Sequence, residues 1–212
     1  MINLLQDHYQ THHKNGARLR QSLLENTRGK ILSNWIGKNK KVLDLGCRDG
    51  QLTRHFISDN LVTGCDIDME ALSYAKKNYG IKIKQADLNS KLPFESKIFD
   101  VVVMGEVLEH LPYWDITLNE VKRILKKDGL LIGSIPLAYH LKDRWNVLRG
   151  KKLLAANDPT HLQLLSYDDF ILRICSYFKL SEIIAIQGGK GWKSKFPKFF
   201  ARNICFCVKN SI

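Results

Sequence analysis

The chain has 212 residues, of which 44% are hydrophobic and 25% charged, and its formal net charge is +12. This length suits a single α/β domain with a full core, and the sequence contains no apolar run long enough to cross a bilayer. The first residues lack the pattern of a signal sequence, so we expect a cytoplasmic protein. The positive charge favours polyanionic partners or anionic substrates, although many soluble enzymes carry such a charge without a specific partner.

The predicted elements alternate between strands and helices from residue 41 onward. Before them, residues 1–37 are polar and basic with apolar side chains at helical spacing, which predicts one or two helices. Strands are predicted over residues 41–45, 61–66, 81–86, 99–104, 130–135, 180–187 and 203–208, and helices over 50–58, 69–78, 116–127 and 167–178. Strand 99–104 is apolar throughout, as is typical of a central parallel strand covered on both faces. Ser166 is expected to cap the helix that begins at residue 167.

The first strand and the turn after it are the most informative part of the chain. The strand ends near Asp44, and a turn with glycines at positions 46 and 50 follows. This order predicts the strand–turn–helix of a nucleotide-binding α/β sheet, in which glycine lets the backbone approach the ligand. Acidic residues also follow the next two strands, at Asp66 and Asp87. A carboxylate at the end of the second strand can accept hydrogen bonds from both hydroxyls of a ribose, so Asp66 is the best candidate for cofactor binding.

Four segments resemble the successive motifs of class I S-adenosylmethionine-dependent methyltransferases of the methyltransferase-11 and methyltransferase-23 kind, including surface-glycan and ubiquinone-pathway O-methyltransferases. These segments are residues 44–50, 62–68, 83–88 and 99–111. The resemblance implies that S-adenosylmethionine is the cofactor and that it is bound by Asp44, Gly46, Cys47, Gly50, Asp66, Ile67, Asp87, Leu88, Met104 and Glu106. Arg48 departs from the motif, because the family usually has a small residue there. Its side chain is expected to face solvent or the amino-acid end of the cofactor.

The resemblance also implies an α/β fold: a Rossmann-like, seven-stranded, mostly parallel sheet with an antiparallel last strand and helices on both faces. We expect one methyltransferase domain over residues 1–212. Its parts are N-terminal helices in 1–37, the cofactor-binding half in 38–135, a lid insertion over the active site in 136–165 and the completion of the sheet in 166–212.

The run from Glu106 to His110 carries the candidate catalytic groups. If it is helical, Glu106, Glu109 and His110 share one face. Together with His161, this pattern resembles metal-dependent O-methyltransferases and implies that these four residues bind Mg²⁺ or Zn²⁺, which would hold substrate oxygens and lower the pKa of the attacked hydroxyl. Metal-free members of the family carry a similar run, in which Glu106 lines the methionine end of the cofactor and His110 or His161 acts as general base. The sequence leaves both interpretations open.

Two segments, 139–152 and 190–202, mix lysine and arginine with aromatic residues. We expect the first to form a lid whose cations bind phosphate or carboxylate. Either segment could contact a membrane surface or single-stranded RNA. The alternative is a solvated loop whose aromatic side chains pack on the sheet edge.

The sequence therefore predicts O-methylation of a small molecule or glycan precursor that is anionic, phosphorylated, and linked to a nucleotide or a lipid. The alternatives are an RNA 2′-O-methyltransferase, and a non-catalytic cofactor-binding partner subunit if Arg48 blocks the ligand. Methylation of a planar nitrogen is disfavoured, since residues 105–108 lack the Asn/Asp-Pro-Pro-Tyr/Phe motif. A nicotinamide-dependent dehydrogenase is disfavoured because the first turn lacks the spaced glycines that a pyrophosphate requires. The cysteines form no CxxC pair, so we expect neither a zinc knuckle nor a redox motif.

Overall fold

The structure, a computed structural model, describes Thr11, residues 21–189 and residues 191–211. The strands are β1 (Lys41–Leu45), β2 (Leu61–Asp66), β3 (Lys82–Gln85), β4 (Phe99–Gly105), β5 (Leu125–Pro136), β6 (Lys179–Gln187) and β7 (Asn203–Lys209). The α-helices are α1 (Glu25–Ile36), α2 (Met69–Tyr79), α3 (Trp114–Ile124), α4 (Leu141–Leu148), α5 (Tyr167–Cys175) and α6 (Pro197–Phe200). The helix predicted in the first twenty residues lies outside the described residues, apart from Thr11.

The strands form one seven-stranded sheet in the order β3-β2-β1-β4-β5-β7-β6. Neighbours from β3 to β5 are parallel, whereas β7 runs antiparallel to both β5 and β6. The predicted Rossmann-like sheet with its antiparallel last strand is therefore confirmed. The strand order reverses at β1, which lies between β2 and β4, and in sheets of this kind ligands bind beyond the carboxyl ends of the strands at that point.

Strand β4 shows how the two faces of the sheet are covered. Successive side chains of a strand point to opposite faces. Val101 and Val103 pack in a cluster with Leu32 of α1, whereas Val102 and Met104 belong to the cluster on the other face, which includes apolar residues of α3 and α5. Helices thus cover both faces of this apolar strand, as predicted.

The prediction of a helix over residues 50–58 is wrong, because the segment forms only a short 3₁₀ helix, Thr53–His55. The side chains of Gln51 and Thr53 turn inward and are buried. The Thr53 hydroxyl donates a hydrogen bond of 2.7 Å to Asp44 Oδ2. The segment is therefore shaped by its contact with the carboxyl end of β1, and β-branched threonine gives little helical propensity to oppose that contact.

The other strands and helices lie close to their predicted positions, with one clear difference at β5. This strand begins at Leu125, before the Asp128-Gly129 pair that was expected to precede it. Asp128 has a left-handed φ of +61°. The pairing of β5 with β4 is irregular between Phe99 and Val101. The Asp128-Gly129 pair thus lies at an irregularity within a longer strand. The preceding helix, α3, accordingly ends at Ile124 rather than at residue 127.

The predicted lid, residues 136–165, contains α4 and a 3₁₀ turn, Ala155–Asn157. Ser166 caps α5 as expected, since its hydroxyl accepts from Asp169 N at 3.1 Å and a capping box is complete. None of the helices in the described ranges is long and apolar enough to cross a membrane.

Candidate active site

A cavity of about 870 Å³ lies at the carboxyl ends of β1, β2 and β4, where the strand order reverses. Sites for small ligands commonly occupy about 300–1,000 Å³. Of the predicted cofactor residues, the cavity is lined by Asp44, Gly46, Cys47, Asp66, Ile67, Asp87, Leu88 and Glu106. Two others do not line it: Gly50 backs onto Ile81, and Met104 is fully buried in the core.

The turn after β1 is fixed against β2 by its backbone. Gly46 has a φ of +72°, and a Cβ at this position would lie 2.5 Å from Val107 Cγ2. The N–H groups of Gly46 and Cys47 both donate to the Cys65 carbonyl, at 2.7 and 3.2 Å. Only glycine fits this position without strain, because an L side chain would meet both the unfavourable φ and the valine.

Asp66, at the end of β2, is oriented by two backbone amides. Its Oδ2 accepts from Arg48 N at 2.8 Å, and its Oδ1 accepts from Asp68 N at 3.0 Å. The side chain is therefore held in one orientation at the cavity wall, with the chemistry expected of a ribose-binding acid.

Arg48 takes a left-handed conformation, with φ of +50°. Its guanidinium donates to the carbonyl of Gln21, and its Nε lies 3.4 Å from Asp49 Oδ1. The side chain is thus tied to the segment before α1, which also lines the cavity. The Arg48 side chain was expected to face solvent or the amino-acid end of the cofactor. Neither expectation fits fully, because the guanidinium is hydrogen-bonded within the protein at the cavity wall.

A buried ion pair joins α1 to the end of β4. Arg28 Nη1 lies 3.6 Å from Glu106 Oε1, and the side chains are 3% and 18% exposed. The Ser134 hydroxyl accepts from Arg28 Nη1 at 2.9 Å and donates to Glu106 Oε1 at 2.8 Å. The Asn203 amide, in the orientation that satisfies its neighbours, donates to the same oxygen at 3.1 Å. Burial raises the pKa of Glu106, and the Arg28 charge opposes the shift.

Arg28 lines the cavity, and the sequence analysis missed it. A signal was present, because Arg28, Leu32 and Ile36 follow one another at intervals of four and are all buried in α1. Arginine is rarely buried unless it is paired with an acid. An arginine in register with the buried apolar residues of a helix therefore indicates an ion pair.

The run from Glu106 to His110 is not α-helical, so the predicted shared face is wrong. Glu106 has a φ of +59°, and the run continues into a 3₁₀ helix, Leu108–His110. Glu106 contacts Ser134 and Arg28 instead of joining the other predicted ligands. The structure groups three of the four predicted metal ligands, Glu109, His110 and His161.

Those three side chains form a compact cluster in which one ligand atom of each lies within 4.8 Å of the others. The two imidazole rings meet edge to face, with centroids 4.9 Å apart. His110 Nδ1 lies 3.0 Å from the Thr160 carbonyl, and His161 Nδ1 lies 2.8 Å from the Ala155 carbonyl. Because a carbonyl only accepts, each Nδ1 carries a proton, and each Nε2 presents a lone pair when the ring is neutral.

Glu109 is fully buried, and neither carboxylate oxygen has a hydrogen-bond partner among the described residues. Burial, reinforced by the charge of Glu106, raises the pKa of Glu109 well above its usual value. The Glu109 carbonyl accepts from Leu162 N and Gln163 N, both at 2.9 Å. These two bonds hold the segment that carries His161 beside His110.

Residues of the predicted lid and of the start of β7 also line the cavity. Arg202 is half-buried there, with its N–H bonded to the Gln187 carbonyl and its carbonyl bonded to Leu137 N, each at 2.8 Å. His140 is buried beside it, and its Nδ1 accepts from Asp143 N at 3.2 Å. The neutral ring therefore carries its proton on Nε2, which has no hydrogen-bond partner in the described ranges. Burial lowers the pKa of His140, the Asp143 carboxylate, 3.5 Å from Nε2, opposes this shift, and the Arg202 charge reinforces it.

Comparison with known proteins gives matches to methyltransferases. Residues 43–133 match the family described as Methyltransferase domain. The ubiquinone biosynthesis O-methyltransferase of Glaesserella parasuis is 34% identical over 105 residues, which are 45% of this chain and 44% of that protein. The fatty-acid O-methyltransferase of Mycolicibacterium smegmatis is 30% identical over 136 residues, 61% of this chain and 46% of that protein. The chain thus spans less than half the length of these curated relatives.

A solved S-adenosylmethionine-dependent methyltransferase of Methanosarcina mazei superposes with a TM-score of 0.63 at 18% identity, over 84% of this chain and 96% of that one, which shows a shared fold. The sheet order and the acid-lined cavity at its reversal point define a Rossmann-like cofactor-binding domain. The matched segment, residues 43–133, includes the turn after β1, the end of β2 and all of β4, the elements that surround this cavity. The match over residues 43–133 and the similarity to these relatives support the prediction, made from the motifs, of a class I S-adenosylmethionine-dependent methyltransferase.

Proposed function

We propose that the protein transfers a methyl group from S-adenosylmethionine to an oxygen of an anionic small molecule or glycan precursor, phosphorylated and linked to a nucleotide or a lipid. One observation carries this proposal: a single cavity joins the acid-lined turn after β1 to the His110–His161 pair and to Arg202. The names of two relatives, for ubiquinone biosynthesis and for fatty acids, favour oxygen as the acceptor atom and a lipid-linked substrate.

The side chains at the cavity fit the cofactor chemically. S-adenosylmethionine carries a ribose diol and an adenine amine that donate, an ammonium group, and a carboxylate that accepts. Both Asp66 and Asp87 line the cavity; Asp66 would accept from the diol, and Asp87 would bind the adenine, as the resemblance to the family motif implies. Arg28, buried beside Glu106, is the group that would hold the carboxylate. When bound, the cofactor supplies a methyl group on a sulfonium sulfur.

Cofactor binding is expected to depend on the protonation of Asp44. Burial raises the pKa of Asp44 from 3.8 to about 7 in the ligand-free protein, and a cationic ligand favours the charged form. S-adenosylmethionine, which carries a net positive charge, should therefore bind about tenfold tighter at about pH 8 than at about pH 6. Without ligand, the same raised pKa makes stability fall as the pH rises from 3.8 to about 7, since the unfolded chain loses this proton first. Isothermal titration calorimetry of the wild type and Asp44→Asn tests the predicted pH dependence of cofactor binding. A pH profile in Asp44→Asn as steep as that of the wild type would assign the effect to another group.

His161 is the best-placed general base. As the acceptor oxygen bonds to the methyl carbon, the carbon–sulfur bond breaks, its electron pair stays on sulfur, and the hydroxyl proton must leave. His161 Nε2 can take that proton, and Asp158 Oδ2, 3.5 Å away, stabilises the imidazolium that results. His110 faces the same space and is the alternative base. Glu106, held by Arg28 and Ser134, serves the methionine end of the cofactor.

Arg202 and His140 favour an anionic substrate. No carboxylate of the described residues forms an ion pair with the Arg202 guanidinium, so this cation is available at the cavity. The Nε2–H of His140 is a second donor beside it. A phosphate or carboxylate of the substrate can accept from both groups.

A bound metal is the alternative use of the same residues, in which the Nε2 lone pairs of His110 and His161 bind an ion instead of accepting a proton. Two imidazole nitrogens and one carboxylate suit Zn²⁺, whereas Mg²⁺ prefers oxygen ligands throughout. Glu109, His110 and His161 would hold the ion, and the two unpartnered oxygens of Glu109 support this fit. A Zn²⁺ ion there would act as a Lewis acid on the acceptor oxygen and lower the pKa of its hydroxyl.

Methyl transfer from radiolabelled cofactor into fractionated cell extract tests the proposed function. We expect label in the lipid-linked or nucleotide-sugar fraction, and His161→Gln should lower it by about 100-fold or more without changing the affinity for S-adenosylhomocysteine. Label confined to RNA would replace the proposal with RNA 2′-O-methylation. Cofactor binding with no label in any fraction would favour a non-catalytic partner subunit.

A further inference from the structure

Helix α4 has its polar and apolar sides reversed. Asp143 faces inward and is fully buried, where it accepts hydrogen bonds from two backbone amides. Leu141, Trp145 and Leu148 follow at intervals of four and three, which places them on one side of the helix. That side faces outward, since Trp145 is 60% exposed and Leu148 is 80% exposed. A helix that belonged to the interior of the domain alone would show the opposite arrangement.

The 3₁₀ turn Gly191–Lys195 and α6 extend this apolar surface. Trp192 is 64% exposed, and Phe196 and Phe199 are exposed as well. α6 packs against α4, and the Arg144 guanidinium lies 5.7 Å from the centre of the Phe199 ring. We call the resulting surface the aromatic face; it consists of Leu141, Trp145, Leu148, Trp192, Phe196 and Phe199. Proteins that act alone in water rarely expose an apolar patch of this kind.

The two segments that carry the aromatic face are rich in basic residues, although one of these, Lys198, pairs with Asp168 of α5. Residues 139–152 contain five lysines and arginines and a single acid, Asp143, which is buried. Residues 191–202 contain four lysines and arginines and no acid. Segments that lie in a membrane interface typically combine lysine and arginine with tryptophan, phenylalanine and leucine. Cations at that depth also attract anionic headgroups.

We propose that the aromatic face docks onto a lipid bilayer that contains anionic lipids. Leu141 and Leu148 favour lipid over RNA, because leucine gains from burial among acyl chains whereas nucleic-acid bases stack on aromatic rings. His140 precedes α4 and Arg202 follows α6, and both line the cavity. Docking therefore brings the substrate end of the cavity to the membrane. Membrane binding depends only on the aromatic face. The inference that it gives access to a lipid-linked substrate rests on the proposed function.

Vesicle flotation with the full chain tests this proposal. The wild type is expected to bind vesicles of phosphatidylcholine mixed with phosphatidylglycerol, more weakly at high salt and more weakly still without the anionic lipid. Trp145→Ser and Leu148→Ser should each weaken this binding about tenfold, because each removes a large apolar group from the contact. Leu61→Ser is the matched control: Leu61 is exposed too, but it begins β2, at the end of the strands opposite the cavity.

Two further measurements make the result decisive. Affinity for S-adenosylhomocysteine, measured on the same variants, should be unchanged, so loss of docking is separated from failure of the cofactor site. A single-stranded RNA oligonucleotide is titrated in parallel. No binding to anionic vesicles, equal binding by all variants, or tighter binding of the RNA with loss in the same two variants would each overturn the proposal.

Discussion

Arg28→Met is expected to lower the free energy of unfolding by about 3 kcal/mol, because it leaves the carboxylate of Glu106 buried without its cationic partner. Arg28 is almost fully buried, and the Ser134 hydroxyl that it contacts is buried as well. Methionine replaces the length of the arginine stem, so the loss reports mainly the missing charge and hydrogen bonds. Urea denaturation measures the effect.

A double-mutant cycle isolates the pair. Arg28→Met combined with Glu106→Gln should recover a large part of the loss, since the second change removes the uncompensated charge. Arg54→Met is the matched control: Arg54 pairs with Glu25 but is 44% exposed, so its removal should cost about 1 kcal/mol or less. Equal effects of Arg28→Met and Arg54→Met would contradict the role of burial.

The same substitution probes the cofactor site. If Arg28 holds the methionine carboxylate, Arg28→Met should weaken S-adenosylhomocysteine binding by about tenfold or more, as expected for the loss of a charge-assisted hydrogen bond. Adenosine, which lacks the carboxylate, should lose no affinity. Equal losses for both ligands would mean that Arg28 acts through the shape of the cavity.

The sheet could be predicted closely because its signals are local. β1 and β2 are short apolar runs bounded by turn residues, and their predicted limits, 41–45 and 61–66, agree with the structure. Ser166 also carries its information locally, since a serine with an acid three residues later predicts a helix start. Such elements form in nearly the same way whatever the rest of the chain does.

The candidate site depends on contacts that sequence spacing does not encode. The run from Glu106 to His110 identified the candidate ligands, but the assumption of a helix placed all of them on one face. That placement is wrong for Glu106, which has a left-handed φ and contacts Arg28. The approach of His161 to His110 depends on two bonds to the Glu109 carbonyl from a segment about fifty residues further along. Residues 50–58 likewise form no α-helix, because the segment contacts the preceding strand through the bond from Thr53 to Asp44.

The candidate active site therefore contains groups that are unfavourable for folding, and Glu109 is the clearest of them. A buried polar group without a hydrogen bond costs about 1–3 kcal/mol. Neither carboxylate oxygen of Glu109 has a hydrogen bond among the described residues, and the nearest charged partner, His110 Nε2, lies 4.0 Å from Oε1. In metal-free buffer, Glu109→Leu is expected to raise the free energy of unfolding by about 1–3 kcal/mol. Glu95→Leu, a change at an exposed carboxylate, should have little effect.

Zinc should make the wild type more stable than Glu109→Leu, the reverse of the order expected in metal-free buffer. At a concentration of about 100 times the Kd, Zn²⁺ would stabilise the wild type by about 2.7 kcal/mol, while Glu109→Leu would gain far less because one of its three ligands is gone. Thermal unfolding with and without Zn²⁺ measures both changes, with Mg²⁺ as the comparison ion. A wild type that Zn²⁺ does not stabilise, together with the expected gain in metal-free Glu109→Leu, would assign Glu109 to the metal-free interpretation. In that case the buried acid persists at a cost to stability, and the proton chemistry rests on His161 and His110 alone.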